Sequence, residues 1–209
     1  MVLKECGFVM VFTELNGAGD VEKFDRWSST YETSWLQRLY FDRIHKGVLT
    51  LTNVESAPVC IVDIGCGTGR LLRKIRERWP HARLIGVDPA EGMVRKAREM
   101  MPDSVFMVSP AESIPLPDAS VDLAFSTTSF HHWSDQVQGI REIRRILRPG
   151  GQFLLADVVP LPFLSGFFHH GHMCNPPEVR KMFEQAGLEV KMQRRLSFGH
   201  FLVTAGIRH

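Results

Sequence analysis

The chain has 209 residues, of which 44% are hydrophobic and 23% are charged, a composition that excludes wholesale disorder and fits one α/β domain. Lysine and arginine number 25 and aspartate and glutamate 23, so the formal charge of +2 indicates neither a nucleic-acid partner nor an anionic membrane surface. The most apolar stretch, 153–168, is interrupted by Asp157, Pro160 and Pro162 and predicts no transmembrane helix.

Cysteine usage and the N-terminus bear on the compartment. The four cysteines are scattered and form no CxxC pair: Cys6, Cys60, Cys66 and Cys174. The N-terminal apolar run has no clear small-residue cleavage site, so we do not interpret it as a signal peptide. A reducing compartment is the simplest setting for such a chain, and we predict a cytoplasmic protein.

An aromatic-rich helical pattern follows a loosely structured N-terminus. Between Asp20 and about Leu49, large residues recur at steps of three or four: Phe24, Trp27, Tyr31, Trp35 and Leu39. This spacing is typical of one face of a helix.

Strand-like and helical segments then alternate. We predict strands at 59–62, 84–87, 105–108, 121–125 and 152–159, and helices at 70–79, at 90–101 and around Ile140, Ile143, Ile146 and Leu147. The last helix is expected to stop at Pro149, because proline disfavours helical geometry in Arg148, and Gly150 and Gly151 can supply positive φ. Buried strands that alternate with helices predict a parallel sheet covered on both faces.

The C-terminal segment departs from this alternation. A helix over 176–186, closed by Gly187, precedes two β-like runs at 188–196 and 200–205. The connection between these runs is too short for a parallel crossover, so they must pair antiparallel. We therefore predict an α/β fold with a mostly parallel sheet and one reversed strand near its edge.

The strongest local motif is a glycine turn at the end of the first predicted strand, Asp63-Ile64-Gly65-Cys66-Gly67-Thr68-Gly69. Such a turn lets backbone amides approach a ligand without a Cβ in the way, and the helix behind it favours negative charge. The alternative is a merely tight connection between strand and helix. The spacing is GxGxG, and Arg70 stands where the dinucleotide motif GxGxxG has its last glycine.

Asp88 ends the second predicted strand. Its carboxylate can accept hydrogen bonds from both hydroxyls of a ribose, so it supports an adenosine ligand without distinguishing between cofactors. The alternative interpretation is a helix N-cap.

Further motifs follow in order: Asp88-Pro89 with Met93, the loop 111–117 (AESIPLP), Val121-Asp122-Leu123, His131-His132-Trp133 and Leu147-Arg148-Pro149-Gly150-Gly151. Together with the glycine turn, they resemble the class I S-adenosylmethionine-dependent methyltransferases, in particular the small-molecule group that includes ubiquinone-biosynthesis-type enzymes. The resemblance covers about 58–157, and agreement is weaker through the final β-pair. It implies a Rossmann-like three-layer sandwich whose seven-stranded sheet has an antiparallel last strand. It also implies S-adenosyl-L-methionine as cofactor, a lid helix within 1–50 and the methyltransferase domain over 51–209.

The resemblance also implies roles for individual residues. The methionine portion of the cofactor would contact Asp63, Gly65, Cys66 and Gly67. The ribose would contact Asp88 and Pro89, and the adenine would contact Met93. Met93 is equally consistent with a core position. Many relatives have an aspartate where this chain has Pro110, so the Ala111 amide or Glu112 would serve the adenine instead. Ser126 would border the methionine arm. Tyr31 is the preferred lid residue, with simple packing of its helix as the alternative.

Methyl transfer needs alignment, exclusion of water and, for a hydroxyl or amine acceptor, removal of a proton. His131 and His132 follow the fourth strand at the ligand-binding edge of the sheet, and we name His131 as the candidate general base. Support of the cofactor pocket is the alternative role. No metal site is predicted: the cluster His169, His170, His172 and Cys174 has spacing that strains a four-ligand geometry. The arginines of the first and fourth helices, Arg70 among them, are interpreted as solvated.

The favoured function is therefore methyl transfer to a small-molecule acceptor by a monomer or homodimer. Two alternatives remain: a non-catalytic S-adenosylmethionine-binding protein, and a nicotinamide-dependent oxidoreductase, which the GxGxG spacing and the terminal β-pair oppose. Neither a nucleic-acid partner nor a membrane partner is expected.

Overall fold

The computed structural model describes residues 18–27, 35–159, 175–196 and 201–209. The elements in chain order are α1 (Ala18–Trp27), α2 (Trp35–Leu51), β1 (Cys60–Ile64), α3 (Arg70–Arg78), β2 (Arg83–Asp88), α4 (Glu91–Met100), β3 (Val105–Val108), β4 (Val121–Thr127), a 3₁₀ turn (Phe130–His132), α5 (Gln136–Ile146), β5 (Leu147–Val158), α6 (Pro176–Gln185), β6 (Leu188–Arg195) and β7 (Phe201–Arg208).

The strands form one seven-stranded sheet in the order β3-β2-β1-β4-β5-β7-β6. Strands β1 to β5 pair in parallel, whereas β7 lies between β5 and β6 and is antiparallel to both. The predicted fold class, including the reversed last strand, is confirmed. The order of the strands reverses between β1 and β4, and a crevice at such a point is where open α/β sheets bind ligands.

Helices cover both faces of the sheet and create two apolar layers. One layer joins alternate residues of β1, β4 and β5 to α5 and α6, for example Val62, Phe153 and Phe183. The other joins the remaining residues of these strands to α2, α3 and α4, for example Ile44 and Leu72. Every residue of β1 is buried, which explains why the strand begins with three consecutive apolar residues, 60–62, rather than with an alternating pattern.

Within the described residues, the N-terminal helical pattern corresponds to α1 and α2. Tyr31 lies between them and outside the described residues, so its predicted lid role is not addressed by the structure. None of the helices in the described ranges is long and apolar enough to cross a membrane. Cys60 and Cys66 are buried free thiols, and the other two cysteines lie outside the described residues.

The end of α5 differs in detail from the expectation. The helix ends at Ile146 because Leu147 already pairs with Val121 of β4. Gly150 has the expected positive φ of 80°, but the same prediction for Gly151 is wrong. A Cβ at Gly151 would lie 2.8 Å from the Arg148 carbonyl oxygen, so close backbone approach explains this glycine.

Candidate active site

A cavity of about 350 Å³ opens where β1, β2 and β4 reach their carboxyl ends, within the size range of small-molecule sites. Most of the predicted site residues line it: Asp63, Gly65, Cys66, Gly67, Asp88, Pro89, Met93, Ala111 and Glu112. The parallel strands explain this grouping, because their carboxyl ends meet at one edge of the sheet.

One side of the glycine turn is held by backbone hydrogen bonds to β2, and the other side faces open space. The amides of Gly65 and Cys66 donate to the Val87 carbonyl of β2 at 2.8 and 3.1 Å. A Cβ at Gly65 would overlap the Ser129 side chain, whereas a Cβ at Gly67 would meet nothing within 4 Å. Both glycines have positive φ, 72° and 52°. Gly67 therefore leaves a backbone cradle that a ligand can approach closely.

Asp88 accepts two backbone hydrogen bonds, from Gly67 N to Oδ2 at 2.8 Å and from Ala90 N to Oδ1 at 2.9 Å. Helix α4 begins at Glu91 with Ala90 at its N-cap position, so Asp88 is not the N-cap of this helix. Burial raises the pKa of the Asp88 carboxyl to about 6, with a smaller rise from Asp25, against the two amides that lower it. Further donors, such as a pair of hydroxyls, would stabilise its ionised form.

Asp63 is the next-to-last residue of β1 and is 1% exposed. Its Oδ1 has no hydrogen-bond partner within the described ranges. Burial, and then the negative charge of Asp88, raise the pKa of its carboxyl well above the usual value. An unpaired buried carboxyl oxygen is costly, and a bound cationic donor would satisfy it. Burial also raises the pKa of the neighbouring Cys66 thiol, which disfavours the reactive thiolate form.

Helix α4 and the loop after β3 also contribute lining residues. Met93 of α4 is 2% exposed and lines the cavity, as does Ala111. Glu112 also lines it, but one of its carboxylate oxygens accepts from the Asp135 amide at 2.8 Å. Pro110, the departure from the common aspartate, also lines the cavity.

At the end of β4, one predicted site residue is buried away from the cavity, and the residues that follow it line the cavity. Ser126 is completely buried and lies behind the wall, with its Oγ 3.1 Å from Ser129 Oγ, and Thr127, Thr128 and Ser129 line the cavity instead. Sequence reasoning missed these three, although their place directly after a strand at the ligand-binding edge could have indicated them.

The two histidines also differ. His132 lines the cavity, and its ring packs edge-to-face on Phe24 with centroids 5.2 Å apart. His131 is not among the lining residues. Its Nδ1 lies 2.7 Å from Asp157 Oδ1, and its amide donates to Asp157 Oδ2 at 3.2 Å.

The interpretation of Arg70 as a solvated residue is wrong. Arg70 is 7% exposed and lines the cavity, because the first residue of α3 directly follows the glycine turn. Two further lining residues, Phe41 and His45 of α2, were also missed. Their spacing of four residues, which places them on one helical face, was an available signal.

No group of three or more metal-ligating side chains occurs in the part of the chain that the structure describes. The cluster formed by His169, His170, His172 and Cys174 lies outside that part.

Comparisons with known proteins find similarity to methyltransferases. A methyltransferase-domain profile matches residues 62–155. The malonyl-[acyl-carrier protein] O-methyltransferase of Dechloromonas aromatica is 28% identical over 191 residues, which cover 86% of this chain and 70% of the relative. Across five curated methyltransferase relatives, the chain spans 40% to 74% of their lengths.

Solved structures show the same fold. The complex of the Haloferax volcanii Trm112 methyltransferase activator contains a chain with a TM-score of 0.77 and 25% identity, with 89% of this chain and 98% of that chain covered. The geranyl diphosphate C-methyltransferase of Streptomyces coelicolor, bound to S-adenosyl-L-homocysteine, has a TM-score of 0.72 and 14% identity, with 83% and 82% covered. These comparisons give no support to a nicotinamide-dependent oxidoreductase.

Proposed function

From the similarity of this chain to S-adenosylmethionine-dependent methyltransferases in sequence and fold, we propose that it is a class I methyltransferase and transfers a methyl group from S-adenosylmethionine to a small-molecule acceptor. The observation that carries the proposal is the unpaired Oδ1 of Asp63, buried beside the open backbone cradle at Gly67. The ammonium group of a bound amino acid would supply the missing partner for this carboxyl.

The binding roles are proposed as follows. Asp63 and the turn residues Gly65, Cys66 and Gly67 receive the methionine portion of the cofactor. Asp88 holds its ribose, with both of its oxygens already oriented by backbone amides. Pro89, Met93, Ala111 and Glu112 enclose its adenine. Ser126 supports this wall from behind through Ser129, and Tyr31 remains the proposed lid residue.

The cofactor supplies a methyl group made electrophilic by a positively charged sulfur. The protein then needs only to align the acceptor, exclude water and remove a proton where the acceptor carries one. His131 does not line the cavity itself, but its ring lies against that of His132, which does, with centroids 4.0 Å apart; we propose His131 for proton removal from an acceptor that reaches past His132. With its Nδ1–H donated to Asp157, the ring presents Nε2 as the basic nitrogen. Asp157 is 6% exposed, so this hydrogen bond is sheltered from water and holds the ring in one orientation.

The acceptor is proposed only as a class. The name of one relative mentions a malonyl group on an acyl-carrier protein, and that of a protein with the same fold mentions geranyl diphosphate, so proteins with this fold act on very different acceptors. We further propose a cytoplasmic monomer or homodimer, supported by the buried free thiols of Cys60 and Cys66. Light scattering coupled to size-exclusion chromatography measures the oligomeric state directly.

Calorimetry and labelling together test the proposed function. The purified protein should bind S-adenosylhomocysteine, and a ligand at 100 times its dissociation constant should stabilise the fold by about 2.7 kcal/mol. Incubation with methyl-labelled S-adenosylmethionine and a metabolite extract should then yield a labelled small molecule. Tight binding without any labelled product would favour the non-catalytic binding protein, and preferential stabilisation by NAD would favour the oxidoreductase.

A further inference from the structure

The chain leaves β4 through a residue in an uncommon backbone conformation. Thr128, which directly follows the last residue of this strand, has a positive φ of 56°. The left-handed region is sterically unfavourable for residues with a Cβ, and a β-branched residue such as threonine rarely occupies it. Glycine would adopt this conformation without strain, so the threonine requires a physical reason.

Two hydrogen bonds hold Thr128 in this conformation. Its amide donates to the Ala156 carbonyl of β5 at 2.9 Å, and its hydroxyl donates to the Thr127 carbonyl at 2.7 Å. The residue also lines the cavity. Strained backbone persists only where the surrounding structure determines it, and it is concentrated at functional sites. The strain at Thr128 therefore lies where a functional constraint is expected.

The turn at Thr128 changes the face of the sheet on which the next side chain lies. In β4, Phe125 packs in the layer of α2, α3 and α4, whereas Ala124 packs in the layer of α5 and α6. Alternation along an extended chain would place Ser126 on the second of these faces and Ser129 on the first. Instead, Ser129 Oγ lies 3.1 Å from Ser126 Oγ. The left-handed residue therefore brings these two hydroxyls onto one face.

From this position, the Ser129 hydroxyl connects two parts of the cavity wall. It donates to the Ile64 carbonyl at the end of β1 at 3.3 Å and accepts from Trp133 Nε1 at 3.0 Å. A Cβ at Gly65 would lie only 2.1 Å from Ser129 Oγ, so the hydroxyl occupies the space that a side chain there would need. The placement of the glycine turn thus depends on Ser129, and the placement of Ser129 depends on Thr128.

We propose that Thr128 is a positioning residue for the methyl-donor site and that it acts through Ser129. A branched side chain at this position excludes most of the backbone conformations that glycine would sample. The restriction keeps the glycine turn in one geometry before a ligand arrives, which lowers the cost of ordering it on binding. The inference rests on the proposed function and deepens it, because it names the residues that preorganise the donor site.

The test uses two substitutions that relieve the same kind of strain at different places. Thr128→Gly acts at the cavity, and Ala119→Gly is the matched control. Within the described ranges, Ala119 is the other non-glycine residue with positive φ, at 49°, and it is exposed in the loop before β4. Both variants should melt no lower than the wild type, because each removes strain from the folded chain.

The first measurement needs no ligand and follows the indole N–H of Trp133 by magnetic resonance. The chain has four tryptophans, and the signal that disappears in Trp133→Phe is assigned to this indole. In Thr128→Gly, the indole hydrogen should exchange with solvent at least about tenfold faster, since the turn opens more often. In Ala119→Gly, the exchange rate should equal that of the wild type.

The second measurement is the affinity for S-adenosylhomocysteine by calorimetry. Thr128→Gly and Ser129→Ala should each bind about 3- to 10-fold more weakly, the range expected for one hydrogen bond, and Ala119→Gly should bind like the wild type. Because Thr128 acts through Ser129, the double variant should match Ser129→Ala within about twofold. A direct contact between Thr128 and the ligand would instead give two losses that multiply.

The inference is overturned if Thr128→Gly keeps either the indole exchange rate or the affinity of the wild type, or if the two losses multiply in the double variant. A melting temperature of Thr128→Gly more than about 5 °C below that of the control also overturns it, because Thr128 is then not strained. Wild type that does not bind S-adenosylhomocysteine contradicts the proposed function and with it the donor site, whereas the indole exchange still decides whether Thr128 positions Ser129. Should Ser129→Ala fail to fold, Ser129→Cys replaces it, with the same pattern expected.

Discussion

Two buried carboxyl groups set the electrostatics of the cavity at the scale of single residues. Burial raises the pKa of both Asp63 and Asp88, so each ionises less readily than a solvated aspartate. A ligand that brings a positive charge and hydroxyl donors reverses this effect and is bound preferentially by the ionised forms. Ligand affinity and proton affinity are therefore linked at this site.

The first prediction concerns Asp88 and pH. Since its pKa is about 6 and ribose hydroxyls donate to the ionised carboxylate, affinity for S-adenosylhomocysteine should rise as the pH increases from 5 to 7 and level off above that. The expected gain is about tenfold, set by the ionised fraction. Calorimetry at half-unit intervals measures it. Asp88→Asn should bind more weakly at pH 7 with a flatter profile, and an unchanged profile in this variant would assign the titration to another group.

The second prediction concerns His131. His131→Gln should reduce kcat by about 100-fold or more if the acceptor must lose a proton, while affinity for S-adenosylhomocysteine stays within a factor of two. Asp157→Asn, which alters the group that orients the ring, should give a smaller loss. Rates with the labelled acceptor, together with calorimetry, measure both. Parallel loss of affinity and rate would instead indicate the alternative role, support of the cofactor pocket.

At the scale of elements, the turn between β1 and α3 uses its glycines for different reasons. Gly65 is enclosed by Ser129, and Gly67 faces open space. Both need positive φ, which costs other residues roughly 1–2 kcal/mol. Only Gly65 also faces a steric conflict with its neighbours.

The third prediction separates these two roles. Gly65→Ala should lower the free energy of unfolding by roughly 2–5 kcal/mol, the sum of backbone strain and overpacking. Gly67→Ala should cost only about 1–2 kcal/mol but should weaken S-adenosylhomocysteine binding strongly, since its methyl group fills the cradle. Urea denaturation and calorimetry on both variants provide the comparison. Equal losses of stability would contradict the difference in packing.

The last strand in the sequence, β7, holds an interior place in the sheet and so affects the stability of the whole molecule. Although β7 is last in sequence, it lies inside the sheet, between β5 and β6. Arg208, near its end, donates from Nη1 to the carbonyls of Arg144 and Arg145 at 3.1 and 3.0 Å and so binds the end of α5. Strand β7 therefore connects β5, β6 and the end of α5.

The fourth prediction follows from this placement. Removal of residues 201–209 should abolish cooperative unfolding, because it leaves β6 without a partner strand and exposes the edge of β5. Arg208→Met should retain the fold, but its free energy of unfolding should fall by roughly 1.5–3 kcal/mol, as expected for the loss of hydrogen bonds from a charged group. Circular dichroism and thermal melts check both. A truncated protein that melts like the intact one would show that β7 is dispensable.

Much of the architecture could be predicted from local sequence. The apolar run at the start of β1 reports burial on both faces of the sheet, and the glycines after it report a turn with positive φ. The connection before β7 is too short to cross the sheet, so it requires an antiparallel pair. The structure confirms the elements that these three features predict. The end of α5 was less predictable, because the pairing of Leu147 with Val121, rather than Pro149, ends the helix. That pairing joins residues far apart in sequence.

The sequence by itself determined the fold and the part of the cavity built by the glycine turn and Asp88, because these depend on short motifs at the ends of consecutive strands. Only the tertiary structure brought Arg70 and His45 together in one buried wall and separated His132, which lines the cavity, from His131, which is held by Asp157. The physical reason is that burial and charge neighbours depend on how α2 packs across the sheet, and no local pattern encodes that packing.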